Sequence, residues 1–99
     1  MKLPQKVQIC GRSYTVRRLS TEWGGNCATG SQTIGIGTAR NQSAGRVCAN
    51  FIHEVLECAA MEQKLRYESS DSEIMFVMTH KQFDSYANDV STALFPLLR

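Results

Sequence analysis

Residues 48–59 read Cys48-Ala49-Asn50-Phe51-Ile52-His53-Glu54-Val55-Leu56-Glu57-Cys58-Ala59, the middle of one long helix. At about 100° per residue, Cys48, Ile52, Val55, Leu56 and Ala59 fall on one apolar arc. Arg46, Asn50, His53, Glu57 and Lys64 gather on a polar side, with His53 at the border. Asn41 or Ser43 can cap the start, and the pattern predicts a helix running to about Lys64. A helix with one apolar stripe must lay it on something, and what flanks it decides the fold class.

Upstream, Lys6 to Cys10 alternates with Val7 and Ile9 on one face. Ser13 to Arg18 alternates again with Tyr14 and Val16. Gly11-Arg12 between them predicts a tight turn, and the three pieces make a β-hairpin. Ser20 to Gly30 reads as a loop around Trp23, whose single aromatic ring is expected to anchor it to the core. Gln32 to Gly37 reads as a short strand with Ile34 and Ile36 on one face. Gly35 and Gly37 leave the other face bare, which suits an edge strand where another backbone comes close.

Downstream, Leu65 to Glu68 and Glu73 to Met78 bracket Ser69-Ser70-Asp71-Ser72 and predict a second short hairpin, with Leu65 and Tyr67 facing Ile74 and Phe76. Thr79 and Gln82 have capping-box spacing at the head of a second helix. Phe83, Tyr86, Ala87, Val90 and Leu94 form its apolar stripe, and Pro96 marks its end. The whole predicts a small α+β domain over residues 1–99, with two main helices, an N-terminal hairpin, an edge strand and a second hairpin.

The chain has 99 residues, 42% hydrophobic and 20% charged, with a net charge of +2, which bounds it to one globular domain. Lys6, Arg12, Arg17 and Arg18 bias the first third mildly positive, too weakly for a dedicated nucleic-acid binder. No apolar run is long enough to cross a bilayer and no signal peptide opens the chain, so a soluble cytoplasmic protein is expected. Cys10, Cys27, Cys48 and Cys58 form no Cys-x-x-Cys pair. They read as reduced thiols filling the core, not as a cysteine zinc site.

The chemistry concentrates on the first helix. Residues four apart stand one turn above each other, so His53 and Glu57 project side by side and could share one ion. Glu54 points about 100° around the helix, beside that site. The plainer reading is a solvated face on which His and Glu fall at i, i+4. Against it stands a resemblance: Phe51-Ile52-His53-Glu54-Val55-Leu56-Glu57 resembles the His-Glu-x-x-His helix of zinc metallopeptidases, above all the minimal zincin-like proteins of bacteriophages and prophages. In those proteins too a short strand precedes the helix and a second helix follows near the C-terminus.

That resemblance implies a zincin-like domain and a zinc-dependent, peptidase-like hydrolase. Glu57 stands where the family has its second histidine, and a carboxylate still binds zinc at a similar distance. Keeping two histidines and one glutamate then assigns His53, Glu57 and His80 as metal ligands. Glu54 is implied as the general base, and Ile34, Gly35 and Ile36 as the edge strand that pairs with a peptide substrate. The alternative is a catalytically inactive zincin scaffold of phage origin that binds a host or phage protein. Oligomeric state is not legible at this level.

Overall fold

The computed structural model describes residues 2–68 and 73–94. The elements run β1 (Lys6–Ile9), β2 (Arg12–Leu19), β3 (Gly25–Ala28), β4 (Thr33–Gly37), α1 (Ala44–Glu62), β5 (Arg66–Glu68), β6 (Ile74–Phe76) and α2 (His80–Leu94). The α+β class, both helices and both hairpins are as the pattern predicts, but the second hairpin is shifted by one residue: Tyr67 lies opposite Met75, and Ile74 and Phe76 lie opposite Glu68 and Arg66 instead of Leu65 and Tyr67. The Ser69–Ser72 turn and Pro96 lie outside the described residues.

β1 and β2 pair antiparallel with Ile9 opposite Arg12. The turn is Cys10-Gly11, one residue earlier than expected, and both have positive φ (52° and 75°). That is what a two-residue turn needs to match the strands' right-handed twist. The main sheet has the order β1-β2-β4-β3, with β2 and β4 parallel and β3 antiparallel to β4.

This order corrects one expectation: β4 is an inner strand. The Ser20–Gly30 segment, expected as a loop, contributes β3 along its outer side. Glycine makes this pairing possible, because a Cβ at Gly25 would lie 2.6 Å from the Gly35 carbonyl oxygen. Trp23 does not anchor the segment, being 56% exposed. The Asn50 amide does that instead, donating to the Trp23 carbonyl at 2.7 Å and to Gln42 Oε1 at 3.2 Å.

α1 starts at Ser43, whose hydroxyl accepts from the Arg46 amide at 3.1 Å. Its buried residues include Val47, Asn50, Phe51, Glu54, Val55, Cys58 and Ala59, so the sheet-facing side is turned about one residue from the predicted arc. Leu56, expected to be core, faces α2 instead, and the Tyr86 hydroxyl donates to its carbonyl at 2.9 Å. The core joins Val7, Ile9, Tyr14, Ile34 and Ile36 of the sheet to Val47, Phe51, Val55 and Cys58 of α1, with Ala93 from α2. The thiols of all four cysteines are free.

α2 opens on the predicted capping box. Gln82 Oε1 accepts from the Thr79 amide at 2.8 Å, and Thr79 Oγ1 accepts from the Gln82 amide at 3.2 Å. Its stripe is shallower than expected: Tyr86, Val90 and Leu94 are partly buried against the core, but Phe83 is 52% exposed. A polar contact helps to seat it, with Cys10 Sγ 3.0 Å from Asp89 Oδ2. Burial first, then the hydrogen bond to Asp89, pushes the Cys10 thiol up to about 12.

Candidate functional site

α1 presents His53, Glu54 and Glu57 within one turn, as its periodicity requires. The His53 ring stands outermost, with its side chain 68% exposed. Its Nε2 lies 3.9 Å from Glu54 Oε2 and 3.9 Å from Glu57 Oε1, close to both and hydrogen-bonded to neither. The other oxygen of Glu57 accepts from Arg66 Nε at 2.9 Å. Arg66 opens β5, so this bond ties the second hairpin to the site.

Glu54 stands beside His53 on the inner side of the helix. It is buried, and its stem runs beneath β3, where a Cβ at Gly25 would meet Glu54 Cγ at 3.0 Å. Burial raises its carboxyl above the ordinary range; His53 opposes this and Glu57 adds to it. A proton acceptor tuned this way sits nearer the working pH than an exposed carboxylate.

The outer wall of the site is a cleft of about 400 Å³ lined by His53, Leu56, Glu57, Phe76, Met78 and Tyr86. Four of these are apolar or aromatic, so a polar pair sits at the edge of an otherwise oily cleft. The sequence singled out His53 and Glu57. It did not reveal Phe76, Met78, Tyr86 or Arg66 as their neighbours, because alternation and helical spacing mark faces without saying which faces meet.

His80 stands apart from the pair. It is the first residue of α2, its side chain is 89% exposed, and its Nδ1 lies 3.5 Å from Asp84 Oδ2. Among the described residues no three His, Cys, Asp or Glu side chains are grouped to hold a metal ion. The donors are of a kind that a borderline ion such as zinc takes, but only two of the three predicted ligands, His53 and Glu57, stand together.

The proposed substrate strand is corrected. Ile34 and Ile36 are fully buried in the core. Gly35 is paired on both sides, with Arg17 of β2 and Asn26 of β3. Its bare face is filled by neighbours, since a Cβ there would lie 2.8 Å from Leu19 Cδ1 and 2.9 Å from Asn26 Oδ1. No peptide reaches Ile34, Gly35 or Ile36 without removing β3.

Among the described residues no helix is long and apolar enough to cross a membrane. No family model, curated protein or solved structure matches this chain.

Proposed function

We propose that the chain is a zinc-dependent hydrolase of peptide bonds, working at the mouth of the α1 cleft. The observation that carries this reading is the position of His53 Nε2, equidistant from two carboxylates, bonded to neither and open to the cleft. The His-Glu-x-x-Glu resemblance supplies the reaction class.

His53 and Glu57 would hold the ion, with His80 as the third ligand. Met78 lines the same cleft and His80 follows it by two residues. The contact of His80 with Asp84 is an exposed i, i+4 pair, worth at most about 1 kcal/mol. A contact that weak does not by itself fix the His80 ring beside Asp84. When bound, zinc polarises a carbonyl and makes water acidic near neutral pH.

The chain's own residues do the rest. Arg66 fixes the orientation of Glu57 through its second oxygen, as an outer-shell partner does. Glu54 takes a proton from the attacking water and passes it to the leaving amine. Leu56, Phe76, Met78 and Tyr86 receive an apolar side chain of the substrate and keep bulk water out.

Metal analysis of purified protein is the test. One zinc per chain, lost in both His53→Ala and His80→Ala, is the expected outcome, with Glu54→Gln keeping the metal and losing hydrolysis. Full zinc retention in His53→Ala overturns the assignment. A second reading, a metal-free scaffold that binds a protein, is favoured by the bond from Arg66 to Glu57, which already gives that carboxylate a counter-charge. In that case Glu54→Gln leaves biological activity intact.

A further inference from the structure

β6 belongs to a sheet of two strands, β5-β6, and no other described strand pairs with it. Such a hairpin is marginal by itself. Ile74, Met75, Phe76 and Val77 are consecutive, apolar and 45–55% exposed, so both faces of the strand show oily side chains to water. Natural edge strands avoid this with charges, proline or a bulge, because an open apolar edge templates further pairing. Ile74 to Val77 carries none of these devices.

The register fixes which backbone groups are open. The Val77 amide donates to the Leu65 carbonyl, and Tyr67 lies opposite Met75. The alternation of an antiparallel ladder then turns the N–H and C=O groups of Ile74 and Phe76 away from β5. Two outward residues flank one inward residue, and this arrangement complements itself under a two-fold rotation.

We infer that a second copy of this chain pairs antiparallel along β6, with the two-fold axis at Met75. Ile74 of each copy exchanges backbone hydrogen bonds with Phe76 of the other, and the two Met75 residues face each other as a pair without hydrogen bonds. Glu73 falls opposite Val77 of the second copy, so this pairing brings no like charges face to face. The two hairpins become one four-stranded sheet.

The strand itself argues for a second copy. Its four apolar residues are each about half exposed, its outward backbone groups match their own two-fold image, and the pairing sets no like charges together; an interface this small associates weakly and reversibly. Phe76 also lines the cleft beside His53, so the dimer would place Ile74 of the second copy next to the cleft wall. The inference rests on strand geometry alone and stands whether or not the site binds zinc.

Sedimentation velocity of the intact protein at about 50 µM tests it, a concentration at which interfaces of micromolar affinity are occupied. A dimer is expected, and Ile74→Pro should return it to monomer, because proline removes an outward N–H and leaves the β5 ladder intact. Met75→Cys provides a check that does not depend on the proline variant folding. Facing residues of this type have Cα atoms about 4.5 Å apart, within the span of a disulfide. Oxidised Met75→Cys should therefore run as a covalent dimer on a non-reducing gel, while the parent protein under the same oxidant does not. A monomeric parent at that concentration overturns the inference, as does a dimer that neither forms the Met75→Cys link nor responds to Ile74→Pro.

Discussion

Replacing Glu54 with glutamine should make the protein more stable at neutral pH. The Glu54 side chain is 10% exposed and makes no hydrogen bond among the described residues, and His53 Nε2 stands 3.9 Å from its Oε2. Burying a polar group without a hydrogen-bond partner costs about 1–3 kcal/mol, and an ionised one lies at the upper end. Glutamine keeps the shape and removes the charge, so a gain of about 1–2 kcal/mol is expected. For a chain of this length that raises the melting temperature by roughly 5–10 °C.

The pH dependence fixes the cause. Burial raises the Glu54 carboxyl in the folded state, so between its unfolded and folded values the native protein binds more protons than the unfolded one. Stability therefore falls as pH rises through that window, and the whole cost is present above it. Below the unfolded carboxyl value, about 4.3, both states are protonated and the advantage of Glu54→Gln should vanish. Thermal melts of parent and variant from pH 3.5 to 8 give the curve. A variant that melts lower at pH 7.5, or a gain that stays constant across the range, refutes the reasoning.

Two further substitutions test the frame around the site. Gly25→Ala puts a methyl group 2.6 Å from the Gly35 carbonyl oxygen and 3.0 Å from Glu54 Cγ, so β3 must move; a loss of about 1–3 kcal/mol in urea unfolding is expected. Asn50→Ala removes the donor that holds the Trp23 carbonyl and should cost about 1–2 kcal/mol by the same measurement, with faster proteolysis between Ser20 and Gly25.

The sequence shows most of this fold where one residue's side chain decides a local structure. Thr79 and Gln82 announce α2 because capping depends only on residues three apart. β1 and β2 are legible because one face of their hairpin is wet, which enforces alternation. β3 has no signature in the sequence, because Gly24-Gly25-Asn26 has no alternation to read. It exists because two glycines, Gly25 and Gly35, let backbones approach, which is a property of the pair and not of either segment. The burial of Asn50 is hidden for the same reason, since its partners lie 27 and 8 residues away. At the site, i, i+4 spacing correctly brought His53 and Glu57 together. It said nothing about Arg66, whose meeting with Glu57 follows from how the chain leaves α1.

The two helices that form the cleft differ in how firmly they are held. α1 buries one side along its whole length in the sheet, whereas Ala93 is the one fully buried residue of α2 in the described chain. Regions with little buried apolar contact open at a small fraction of the global unfolding free energy. The cleft thus has a hard wall, carrying His53 and Glu57, and a soft wall, carrying Tyr86 and headed by His80. The pair His53 and Glu57 is therefore set on the firmer element, and Tyr86 on the one that frays first.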